Sequence, residues 1–113
     1  MELRSLADVE PFTTKDGSTI RELHHTTAQS LAEAWLEPGQ ATQRHYHART
    51  EEIYLLTGGG GVLEVDGESS DVRQGDAVLI PPGAWHELVA GPEGARLLCM
   101  CVPPYSHDDT YFS

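Results

Sequence analysis

No stretch of a dozen residues in this chain repeats its apolar positions every 3.6 residues. Short apolar runs cut by turn residues appear instead. Residues 19–26 and 30–36 read as extended, the second closed by Pro38-Gly39. Residues 43–47 and 52–57 follow, then the glycine run Gly58 to Gly61, which reads as a turn. Residues 62–65 and 69–73 flank Asp66-Gly67, a strong hairpin signal. Residues 77–80, the loop Pro81-Pro82-Gly83 and residues 86–90 come next, and Gly91-Pro92-Glu93-Gly94 turns the chain into residues 95–102. About nine short strands at roughly ten-residue spacing predict an all-β antiparallel sandwich or barrel. Ser5 to Glu10 has room for one helical turn, with Ser5 as N-cap and Pro11 as stop. Residues 103–113 are expected to be an irregular tail. With 113 residues, no repeat and no linker, the whole chain, 1–113, is one domain.

His45-Tyr46-His47 carries the chemistry. Histidines two apart on a strand point to one face, about 7 Å apart along the backbone. Glu51-Glu52 follows closely and His86 lies on another predicted strand. Imidazoles and a carboxylate suit manganese, iron, nickel, zinc or copper, so the set implies one divalent transition metal without naming it.

The charge balance restricts the partners. Eighteen acidic against seven basic residues leave a net charge of −11, a field that repels phosphate backbones and anionic lipid. Neither nucleic acid nor a membrane surface is an expected partner, and a small-molecule ligand is. A small anionic substrate would need a local positive charge, for which a bound metal is the obvious source. No apolar run approaches the ~20 residues that span a bilayer. The start, Met1 to Asp8, has neither the basic nor the apolar part of a secretion signal, so the expected location is cytoplasmic. Cys99 and Cys101 are two apart on a predicted strand, poorly placed for a disulfide. They read first as small core residues and second as thiols near the metal.

Two blocks fit a known pattern: Gly39-(five residues)-His45-x-His47-(four)-Glu52-(six)-Gly59, and Gly75-(five)-Pro81-x-Gly83-(two)-His86. They occupy about 39–61 and 75–90. This closely resembles the paired motifs of the cupin superfamily, which are small jelly-roll barrels. The resemblance implies a single jelly-roll β-barrel in which His45, His47, Glu52 and His86 bind one metal. The second motif commonly ends in Asn; here that place is Ala90, outside the ligand set.

Neighbouring strand residues face opposite ways, so only one of Glu51 and Glu52 can point inward. The family tolerates three or four residues before its glutamate. Glu52 keeps the spacing to Asp66-Gly67 and Gly75 regular and is preferred, while a slip of one residue would select Glu51. With Glu52 inward, Tyr54 and Leu56 face inward too. Tyr54 then reads either as a proton donor or lowered-pKa base beside the metal, or as an amphipathic wall residue.

The other polar candidates are weaker. His24 and His25 face opposite ways and are expected to be non-ligands, and His107 is expected in solvent. Arg44 and Arg49 read as surface charges, with carboxylate recognition the alternative for Arg49. Trp35 reads as core or rim packing and Trp85 as a candidate for the pocket mouth. The glycine run lacks the Lys-Ser/Thr and the helix of a phosphate loop. No serine has an evident His–carboxylate partner for nucleophilic catalysis.

The resemblance implies a metal-dependent enzyme acting on a small oxygen-bearing metabolite, of dioxygenase, decarboxylase, isomerase or lyase type. Glu52 and Tyr54 are its candidate catalytic residues. The alternative is a non-catalytic cupin that binds or senses a small ligand, and a third reading keeps the metal as a structural staple. A homodimer is expected, because outward-facing Ile53 and Leu55 would need cover.

Overall fold

The computed structural model describes all 113 residues. Its strands are β1 (Phe12–Thr13), β2 (Thr19–His25), β3 (Ser30–Leu36), β4 (His45–His47), β5 (Glu51–Val65), β6 (Glu68–Arg73), β7 (Ala77–Ile80), β8 (His86–Val102) and β9 (Thr110–Phe112). Single 3-10 turns at Leu6–Asp8 and His107–Asp109 are the only helical pieces. Ser5 precedes the first but makes no side-chain cap. No helix is long and apolar enough to cross a membrane.

Two long strands organise the barrel. β5 and β8 pair antiparallel along their length, from Glu51↔Val102 to Val65↔His86. The second half of β8 also pairs with β3, and the first half of β5 with β7. Their other halves take β4 and β6. One face therefore runs β1-β2-β3-β8-β5-β7 and the other β9-β4-β8-β5-β6, joined by the strands they share. This is a jelly-roll-type β-barrel. All pairings are antiparallel, and the Asp66-Gly67 hairpin closes β5 onto β6 with both turn residues at positive φ, as a type I′ turn needs.

The glycine run is not the turn that sequence reading expects. β5 continues through Gly58–Gly61, with bulges between Leu56 and Gly58 and between Gly59 and Gly61. A Cβ on Gly59, Gly60 or Gly61 would collide with the carbonyl oxygens of Gly94, Val72 and Val89 respectively. The glycines let three backbones pass close together where the sheet bends. Gly91 to Gly94 likewise lies inside β8 and does not separate two strands. The expected pairs of short strands on either side of these glycines are thus single bent ones.

The tail differs as well. Residues 103–113 are not irregular throughout: β9 pairs with β4 through His45↔Phe112, Tyr46↔Tyr111 and His47↔Thr110. Three residues are too few to show a period in sequence, and the strand forms because β4 has a free edge to fill.

Inside the barrel, register aligns Ser30, Cys101, Glu52 and Ile80 in one row, and Ala32, Cys99, Tyr54 and Val78 in the next. Leu56, Leu63, Ile80, Leu88 and Leu97 close the core around them. The interior is apolar at one end and polar at the other.

Candidate metal centre

β4 is three residues long and alternates strictly. His45 and His47 are 2% and 4% exposed, while Tyr46 faces out. β4 is held on both edges, by His45↔His86 on β8 and by β9. Outside, Tyr46 stacks on Tyr111 at 5.0 Å and meets Trp85 edge-on at 4.6 Å. Arg44 lies over the Trp85 ring and is tied to Glu64 at 2.7 Å. Trp85 therefore belongs to an outer aromatic cluster and not to a pocket mouth.

The Pro81-Pro82-Gly83 loop delivers His86, with the Gly83 N–H donating to the His47 carbonyl at 2.7 Å. His86 is 1% exposed and directly opposite His45, ring centroids 4.3 Å apart. One ring nitrogen from each of His45, His47 and His86 lies within 4.8 Å of the other two. Glu52 is buried and points to the same place, while Glu51 is exposed. Oε1 of Glu52 lies 3.6 Å from His47 Nε2 and 3.4 Å from His86 Nε2.

The far side of each group is committed. His45 Nδ1 meets the Gln43 carbonyl at 2.7 Å and His86 Nδ1 the Ala84 carbonyl at 3.0 Å, so both rings donate from Nδ1. The Cys101 thiol donates to Glu52 Oε2 at 3.3 Å. Glu52 Oε1 and His86 Nε2 are buried with no hydrogen-bond partner. An unsatisfied buried polar atom is costly, and two of them converging beside two further buried imidazoles fit a divalent transition metal.

Charge and burial compete here. Burial alone pushes the Glu52 carboxyl up, but the His47 and His86 imidazoles facing its Oε1 outweigh burial and hold it well below the usual range. His86 is raised, because its Glu52 contacts outweigh burial. His45 is lowered by burial and by the charge of His86. Burial, then Glu52, pushes the Tyr54 phenol well above its ordinary value. Tyr54 is 5% exposed, with its ring 6.0 Å from that of His86. This environment makes it a neutral donor and disfavours the lowered-pKa base.

Asp16 is one residue that the sequence does not announce. It sits in the β1–β2 turn, and its Oδ1 accepts from Thr14 Oγ1, the Ser18 N–H and Ser18 Oγ at 2.5, 2.8 and 2.7 Å. Its Oδ2 lies 3.9 Å from His45 Nε2, on the cavity wall. A Lys-Asp-Gly turn signals only a turn, and nothing in it announces a second oxygen aimed inward.

Cys99, Cys101, Tyr54, Tyr105, Ser30 and Thr42 also line the cavity, and no Lys or Arg does. Cys101 thus takes the second of the two cysteine readings, a thiol beside the site. Arg49 is outside, bound to Asp109 at 3.5 Å. His24 and His25 stay out of the cluster, with exposed His25 paired to half-buried Glu22 at 3.1 Å, and His107 is exposed.

A family model described as "Cupin domain" matches residues 33–101. An uncharacterized protein of Methanocaldococcus jannaschii is 43% identical over 108 residues, 90% of this chain and 86% of that protein. The dimethylsulfoniopropionate lyase DddW of Ruegeria pomeroyi is 42% identical over 59 residues, 52% of this chain; the match spans 38% of the lyase's length. Among solved structures, Streptomyces PAC13 with uridine superposes with a TM-score of 0.85 at 17% identity, covering 100% of this chain and 91% of that one.

Proposed function

The chain belongs to the cupin family, and from that premise we propose that it is a metal-dependent enzyme acting on a small oxygen-bearing metabolite. His45, His47, His86 and Glu52 would hold one divalent transition metal: manganese, iron, nickel, zinc or copper. The observation that carries this is the pair of buried, partnerless atoms, Glu52 Oε1 and His86 Nε2, beside two further buried imidazoles. When bound, the metal would supply a Lewis acid and an open coordination position.

The chain's own groups would do the rest. Glu52 would balance the cation's charge. Tyr54, on the next inward position of β5, would donate a hydrogen bond to a ligand oxygen. Asp16 would accept one from a ligand hydroxyl on the opposite wall. Because the wall carries Asp16, Glu22 and Glu52 and no Lys or Arg, any acidic group of the substrate would have to sit on the metal. The remainder of the ligand would be uncharged and hydroxylated. The lyase relative and the uridine-bound neighbour both concern small molecules, which supports this class without choosing a reaction.

A homodimer is part of the same reading. Leu31, Met100, Ile53 and Leu79 form an apolar row across the outside of β3, β8, β5 and β7, and Leu79 is 55% exposed. A second copy would cover it.

The test begins with elemental analysis of untagged protein. Turnover and oxygen-uptake assays follow, with manganese, iron or zinc restored and with sulfonium, uronate, nucleoside and hydroxy-acid substrates. About one metal per chain with turnover is expected. Stoichiometric metal with ligand binding but no turnover would leave a binding module, and no metal would overturn the reading.

A further inference from the structure

The rings of His45 and His86 are held by backbone carbonyls; that of His47 is held by a side chain. Its Nδ1 lies 3.1 Å from the Thr110 hydroxyl, on β9, outside the segment that the family model matches. The same hydroxyl donates to the Ser106 carbonyl at 2.9 Å. A hydroxyl has one proton, so once that proton is given to Ser106 the oxygen can only accept. The His47 ring must then carry its proton on Nδ1, which leaves Nε2 bare and facing Glu52 and His86.

The segment bearing Thr110 is fastened at several points. The Arg49 N–H donates to Asp109 Oδ2 at 3.0 Å, the Tyr105 N–H to Ser30 Oγ at 2.9 Å, and Thr50 Oγ1 to the Pro103 carbonyl at 3.1 Å. Register also sets Thr110 directly across from His47. The acceptor is therefore placed by the sheet and not by a mobile loop.

We propose that Thr110 is a positioning residue: through Ser106 it selects the Nδ1-protonated form of His47 and turns Nε2 to the metal centre. Its consequence for metal affinity rests on the metal-centre reading; its consequence for the tautomer does not. Ligating histidines are commonly oriented through their second nitrogen, and loss of such a partner costs about 10–100-fold in metal affinity.

The test uses the full chain in three forms, wild type, Thr110→Val and Thr110→Ser. Each is stripped of metal and studied at about pH 8.5, where an ordinary imidazole is neutral. Nitrogen–proton correlation spectra read the His47 tautomer directly. Nδ1–H is expected in wild type and Thr110→Ser, and Nε2–H or a mixture in Thr110→Val. Zinc affinity by chelator competition should fall ~10–100-fold in Thr110→Val and be largely restored in Thr110→Ser.

An Nε2–H tautomer in wild type overturns the proposal, as does a Thr110→Val protein with wild-type tautomer and affinity. If the wild type binds no zinc but shows the expected tautomers, the metal reading fails and the positioning role stands. If Thr110→Val does not fold, the tautomers of wild type and Thr110→Ser decide.

Discussion

Cys101 stands directly across from Glu52 on the neighbouring strand, and its thiol donates to the carboxylate oxygen that does not face the histidines. Burial, then the charge of Glu52, holds this thiol protonated far above its ordinary range, and Cys99 is raised in the same way. Neither should behave as a nucleophile. In native protein at about pH 8 both should resist a disulfide reagent and both should react on denaturation. Cys101→Ala should weaken metal binding by several-fold, measured by chelator competition, because Glu52 loses the donor that aims it.

Glu51 and Glu52 supply a paired test of the ligand set. Glu52→Gln removes an anionic donor and should lower metal occupancy, read by elemental analysis after dialysis against a weak chelator. Glu51→Gln changes an exposed side chain and should leave occupancy at the wild-type value. Equal losses in the two variants would mean that the carboxylate does not ligate.

Tyr54→Phe keeps the ring that packs in the cavity and removes only the hydroxyl. Metal content should be unchanged, and kcat should fall by ~10²-fold or more, the usual size for a positioned proton donor. Wild-type kcat in Tyr54→Phe would reduce Tyr54 to a wall residue.

The metal-free protein should be most stable near the ordinary imidazole value, about pH 6.5. His86 has a raised pKa, so its contribution is fully present below that value and is lost as pH rises through the folded one. His45 is lowered and begins to cost stability as pH falls below it. Glu52 is lowered too, so its contribution, present above the ordinary carboxylate value of about 4.3, is lost toward lower pH. Melting temperature from about pH 4 to 9 checks this. Zinc should abolish the alkaline decline by taking the place of the His86 proton, and should bind less well in acid. A melting temperature that rises steadily above pH 6.5 in stripped protein would contradict the assignment.

Leu79→Glu places a charge in the middle of the outer apolar row and does not touch the cavity. Light scattering at micromolar concentration should show a dimer for wild type and a monomer for Leu79→Glu, with metal content unchanged. A wild-type monomer would mean that the row needs no cover.

The strand pattern and the paired motifs are legible in the sequence because they rest on local chemistry: alternation, a hairpin dipeptide and fixed spacings. Gly58 to Gly61 misleads because glycine has two uses, turning a chain and admitting a neighbour. At Gly59, Gly60 and Gly61 the second operates, with a positive φ at Gly59 alone, inside a continuous strand. Asp16 and Thr110 are hidden for another reason. Each sits in a short segment whose own residues explain it locally, and each acquires its second role from a strand far away in sequence. Long-range pairing gives those roles, and a single sequence carries no record of it.

The outer cluster of Tyr46, Tyr111 and Trp85 never meets the cavity, yet it acts on it as a detent. β4 has only three residues, so sliding by one position against its neighbours would carry His45 and His47 out and Tyr46 in. Such a slip would have to break the stack of Tyr46 on Tyr111 and its edge contact with Trp85. The half-exposed aromatic surface thus works as a mechanical stop, and smoothing it to gain solubility would loosen the centre from behind.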